Sequence, residues 1–183
     1  MARVIYLFDP PDRFVVGTVG EPGSRAFYVQ AQAGERIVSV AIEKEQASLL
    51  AEKVVELLDE VGRRHPEIAL TPPDDLQTDL EPLSAPVLEE FRAGALGLGW
   101  NPQTDRVVIE AHASATDEVP DIEDDSDPDA PDVLRVRINA DTARAFAMRA
   151  GSVVTAGRPP CPFCHLPLDA EGHICPRANG YRR

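Results

Sequence analysis

Apolar and polar positions along the chain fall into two rhythms, and the pair recurs. Short runs rich in β-branched and aromatic residues cover Arg13 to Val19, Arg25 to Gln32 and Arg36 to Ile42, and each reads as a strand. Between the first two lies Glu21-Pro22-Gly23-Ser24, with Pro and Gly where a type II turn needs them. Ala33-Gly34-Glu35 supplies the next turn. The rhythm then changes to three- and four-residue steps at Ala47, Leu50, Val54, Leu57 and Val61, the apolar stripe of a helix starting near Lys44. Ahead of all this, Val4 to Phe8 predicts a short extra strand, stopped by Asp9-Pro10-Pro11.

The second half echoes the first. Phe91 to Gly97 resembles Phe14 to Gly20, and Arg106 to Ala113 answers Arg25 to Gln32. Val133 to Ile138 then answers Ile37 to Ile42, and Ala143, Phe146, Ala147, Ala150 and Val153 repeat the helical stripe from Asp141 onward. Strands share a small alphabet of β-formers, so chance similarity is the competing account. A βββα unit covers only one face of its sheet, so two copies gain by packing together. The expected fold is α+β: duplicated βββα units forming one antiparallel-sheet body with approximate two-fold symmetry, plus a small C-terminal zinc knuckle. The expected segments are a first half at 1–66, an acidic linker at 67–90, a second half at 91–157 carrying an acidic insertion at 116–132, and a zinc-binding tail at 158–183.

Charge changes the picture through its location. The net charge is −13. Residues 72–90 and 116–132 together hold fifteen of the thirty-one acids and no base, so the rest of the chain is close to neutral. Both stretches are rich in Pro, and such segments tend to stay solvated linkers. The sharper reading is that 116–132 docks on a basic partner or mimics nucleic acid. With no charged-then-apolar leader and no long apolar run, the expectation is a cytoplasmic protein without a membrane span.

The most specific chemistry lies near the end of the chain. Cys161-Pro162-Phe163-Cys164 is followed by His173-Ile174-Cys175, and these are the only three cysteines. Clustered thiolates repel one another unless a cation neutralises them, and Cys₃His is a tetrahedral zinc set. The expected ligands are Cys161, Cys164, His173 and Cys175, with His165 as the alternative fourth. A redox CxxC would open a helix after a strand, whereas here Pro159 and Pro160 precede it. The zinc is read as structural; a catalytic one would need a general base, and Glu171 is the local candidate. Three arginines and a tyrosine close the chain, yet the segment is barely basic, which disfavours nucleic acid. Elsewhere, Glu110 and His112 share one face of a strand and could form an acid–base or metal pair, although such pairs are more often solvated edges or cross-strand contacts. Gly94 to Gly99 lacks the following helix that a phosphate loop requires and reads as tight strand packing or a turn. Trp100 reads as the cap of a sheet end.

Two of these segments carry a resemblance. Gly17-Thr-Val-Gly-Glu-Pro-Gly23 and the tail Cys161-Pro-x-Cys, Gly172-His-x-Cys-Pro-Arg and Asn179-Gly-Tyr-Arg-Arg183 resemble an uncharacterised actinobacterial family of unknown function. The resemblance implies a cytoplasmic protein with no assigned catalytic residue. It also implies a pathway shared with a histidine-phosphatase-like protein and a protein resembling phosphoinositide kinases. The expected function is a non-enzymatic, zinc-stabilised binding or adaptor protein with a protein partner. An enzyme or accessory subunit with a pocket between the halves is the runner-up. Oligomeric state is left open.

Overall fold

The computed structural model describes residues 3–68, 70–113, 121–157, 161–164 and 175. Among the described residues, eight strands and two α-helices follow in order: β1 (Ile5–Phe8), β2 (Arg13–Val19), β3 (Ala26–Ala33), β4 (Arg36–Ile42), α1 (Lys44–Arg64), β5 (Glu89–Arg92), β6 (Ala95–Asn101), β7 (Arg106–His112), β8 (Val133–Ile138) and α2 (Ala140–Thr155). The same run of four strands and a helix thus occurs twice. The Glu21–Ser24 turn closes as the sequence predicts, with Ser24 N–H donating to Glu21 O at 3.0 Å and Gly23 at φ 103°.

The strands form two four-stranded sheets. Sheet I runs β2-β3-β4-β5 and sheet II runs β1-β8-β7-β6. Within each, three strands pair antiparallel and the outermost joins in parallel, β5 on β4 and β1 on β8. The sheets are therefore mixed rather than wholly antiparallel. The parallel strand in each sheet comes from the other copy. The chain changes sheets at two adjacent residues: Ala93 N–H donates to Ala41 O in sheet I, and Gly94 N–H donates to His112 O in sheet II. Residues 91–97 therefore do not form one strand equivalent to 14–20. Phe91 belongs to the exchanged strand, and the true counterpart of β2 begins at Ala95. Tyr6 O–H donates to Glu90 at 2.7 Å and its ring lies 6.1 Å from that of Phe91, which joins the two exchanged strands.

Register corrects a second detail. Gln30 sits opposite Ser39, and Glu110 sits opposite Arg135. Position 30 therefore corresponds to 110, and the inward set Phe27, Val29, Ala31 to Val107, Ile109, Ala111. Aligning Arg25 with Arg106 is one residue out, and a slip of one exchanges the two faces of a strand.

Inward residues of both sheets meet both helical stripes in one core. Each helix packs on the first long strand of the other copy, α2 on β2 and α1 on β6. The rings of Phe14 and Phe146 stack at 4.4 Å. On α1 the fully buried set includes Leu58, with Leu57 packed at its margin. The seam between copies at Phe14, Val29, Leu50, Leu96 and Ile109 is filled to a residual cavity of about 10 Å³, at the lower limit for one water. Each copy is incomplete without the other's first strand.

The two acidic stretches are not simply solvated linkers. Part of each lies over the outer face of one sheet. Ser84 N–H donates to Gln30 Oε1 at 2.8 Å, and Leu83 lies over Gly17, where a Cβ would fall 2.5 Å from its Cγ. Glu123 N–H donates to Glu110 Oε1 at 3.1 Å, and Ile122 lies over Gly97 and Gly99. Equivalent covers thus come from different places in the chain, one after α1 and one between β7 and β8.

Candidate metal centre

The CxxC segment and Cys175 converge. The Sγ atoms of Cys161, Cys164 and Cys175 all lie within 4.8 Å of one another, and Cys161 Sγ is 3.8 Å from Cys175 Sγ. Two thiolates on one tetrahedral zinc, each about 2.3 Å from the metal, stand roughly 3.8 Å apart. Phe163 N–H points at Cys161 Sγ at 3.5 Å. Burial pushes the Cys161 thiol up, but backbone N–H groups of Cys164 and Phe163 and the two neighbouring sulfurs more than offset it. The net shift is downward, toward the thiolate that binds metals. Cys161 and Cys175 are buried. These three cysteines could hold a metal ion, and the donor set fits a soft, four-coordinate one. His173 and His165, the two candidates for the fourth position, lie outside the described residues, as does Glu171.

A second concentration of chemistry lies on the outer face of sheet II. Glu110 and His112 are fully buried on an interior strand, which rules out a solvated edge. His112 Nε2 is 3.0 Å from Glu110 Oε2, and Arg135 Nε donates to Glu110 Oε1. Arg135 also makes a two-pronged pair with Asp125, 2.9 Å on each prong. Arg137 donates through Nε to Glu123 at 2.6 Å and through Nη1 to Asp9 at 2.9 Å. Burial pushes the Glu110 carboxyl up, but hydrogen bonds from His112, Arg135 and the Glu123 amide hold it below the usual range. Sequence reasoning singled out Glu110 and His112 and missed the arginines. The available signal was Arg135 and Arg137 at alternate positions of β8, hence on one face.

On the other sheet, Arg149 is a structural pin. Its guanidinium donates to Val16 O at 2.7 Å, to Asp79 Oδ1 at 3.0 Å, to Glu81 O at 2.6 Å and to Asp79 O. Gly97 and Gly99 are packing positions, as the sequence predicts, and Trp100 stands near the end of β6. A cleft of about 810 Å³ opens between the Gly23–Phe27 turn, the start of α1 and the end of α2. Only the end of the Gly17–Gly23 segment reaches it. No helix among the described residues is long and apolar enough to cross a membrane.

The fold unit and the cysteines fall within one family match, which runs from residue 6 to residue 175. The chain belongs to a protein family of unknown function, DUF3090. The DUF3090 match takes in both copies of the repeat and all three cysteines. Comparisons with curated proteins and with solved structures find no match.

Proposed function

We infer that the chain is a non-enzymatic binding or adaptor protein whose tail is ordered by a structural zinc. The ligands in this reading are Cys161, Cys164, His173 and Cys175, and the duplicated body is the scaffold. The supporting observation is the sulfur geometry, with a 3.8 Å separation suited to a shared tetrahedral ion. A bound zinc would contribute on the order of 10 kcal/mol to folding of a segment too short to bury a core. The chain's own part is to hold the three thiols close and to direct backbone N–H groups at Cys161, which favours the thiolate. The filled seam between the copies supports a scaffold over an enzyme with a central pocket. The expected partners are proteins, with the phosphatase-like and kinase-like proteins that the resemblance implies the first to try. The 810 Å³ cleft favours a second reading, an accessory subunit that binds a small molecule between the copies.

Metal analysis of the purified full chain should give about one zinc per chain. Cys161→Ser should lose it while the thermal unfolding of the body stays unchanged. A metal-free wild-type protein from zinc-supplemented cells would refute the site. A tagged pull-down with the full chain and with one ending at Gly157 then tests the role. Partners lost with the tail make the zinc module the docking element, and partners kept without it move docking to the body. An empty pull-down from both favours the small-molecule reading.

A further inference from the structure

The two copies cover their outer faces with different chemistry. In sheet I the positions opposite the cover are neutral: Gln30 donates to Ser39 Oγ and Ser84 O and accepts from the Ser84 amide, and Gln32 accepts from Ser84 Oγ. Arg13 and Arg149 hold that cover both through backbone carbonyls of Asp79, Glu81 and Pro82 and through the Asp79 carboxylate. The contacts to neutral carbonyls are screened by salt less than ion pairs are, and Leu83 packs closely over Gly17.

In sheet II the equivalent positions are Glu110, His112 and Arg135. Neutral amides and a hydroxyl suffice for structure in the first copy, so packing does not demand charge in the second, where burying it costs desolvation. This cover is held mainly by side-chain carboxylates, Asp125 on Arg135 and Arg3, and Glu123 on Arg137. Asp125 is 48% exposed and Glu123 23%. The fit is also incomplete. Arg3 Nε and Nη2 and His112 Nδ1 are buried on this face without a hydrogen-bond partner among the described residues, and buried orphans of this kind usually have a partner in some state of the protein.

We propose that the outer face of sheet II is a binding site for an acidic peptide segment of a partner protein, and that residues 121–125 are its internal occupant. Arg3, Arg135 and Arg137 receive the carboxylates, and the bare strip at Gly97 and Gly99 receives an apolar side chain. The occupant supplies the recognition pattern. Ile122 lies on the strip, the next amide bonds Glu110, and acids one and three residues after Ile122 meet Arg137 and Arg135. A partner segment therefore reads apolar, acid, any residue, acid. An open cleft of about 350 Å³ continues the strip past Ile122, lined by Gly99, Trp100, Asn101 and Val108. Without the acids of its own cover, this face carries three arginines against Glu110 and Asp9. The tethered occupant competes at an effective concentration in the millimolar range, so a free peptide binds weakly until the cover is loosened. The proposal rests on reading the chain as a binding protein but not on the metal, because its variants leave every cysteine in place.

The test uses the full chain and a labelled peptide copying residues 121–126. The double variant Glu123→Ala/Asp125→Ala should bind it at least about tenfold more tightly than wild type. Binding should weaken with salt and disappear when Arg137→Gln is added. A folded double variant that binds no better than wild type, or binds a scrambled peptide equally well, would overturn the site. The wild-type chain offers a check independent of any substitution. Hydrogen exchange compares the Glu123 amide with the equivalent Ser84 amide as sodium chloride rises to molar levels. Glu123 should lose protection first, by about tenfold or more; equal protection of both amides would show a fixed cover and overturn the proposal.

Discussion

At Gly17 the absence of a side chain is a steric requirement. A Cβ there would meet the branching carbon of Leu83 at 2.5 Å, and a branching carbon has little room to retreat. At the equivalent Gly99 the nearest atom is the terminal Cδ1 of Ile122 at 3.0 Å, which can rotate aside. Gly17→Ala should therefore cost about 1–3 kcal/mol and Gly99→Ala less than about 1 kcal/mol. Urea-unfolding midpoints of the two variants check the order, and equal losses would contradict the difference between the covers. The sequence marked Gly99 as a packing or turn position and gave no such signal at Gly17. It could not say what lay over them, because Leu83 is 66 residues from Gly17 while Ile122 is 23 from Gly99. Partner identity at such separations is absent from local pattern.

At the scale of elements, both helices were legible because their apolar stripes survive any error of a residue or two. Strand correspondence was less forgiving. The one-residue misalignment of β7 against β3 paired Tyr28, which points outward, with the inward Ile109. The mistaken strand at 91–97 has a similar origin, since nothing local marks the point at Ala93 and Gly94 where the backbone leaves one sheet for the other. Helix α2 also carries a liability that touches nothing. Gly151 lies inside the helix, and a Cβ there meets no atom within 4 Å. Gly151→Ala should raise stability by about 0.5–1 kcal/mol, read as a higher thermal midpoint. A fall would contradict the open space around Gly151.

The acidic stretches show their meaning only in the whole molecule. Asp79 is held below the usual carboxylate range by Arg13 and, more weakly, Arg149; Asp125 is held there by Arg135; and Glu110 is lowered despite its burial. Each folded-state value lies under the unfolded one. Their stabilisation is therefore fully present above the unfolded carboxylate values near pH 4 and is lost as pH falls through the folded values. The urea midpoint should stay flat from about pH 7 to 5 and drop below roughly pH 4.5, as these groups bind protons on unfolding. A midpoint unchanged down to pH 3 would contradict the pairing. By itself the sequence determined both helices, most of the strands, the repeat and the cysteine cluster, because periodicity and short spacing are local properties. Tertiary structure decided the exchange of first strands, the docking of acidic residues on arginines such as the Arg149–Asp79 pair, and the burial of Glu110 and His112. Those outcomes depend on which distant surfaces meet when two half-covered sheets close around one core, and no local pattern encodes that choice.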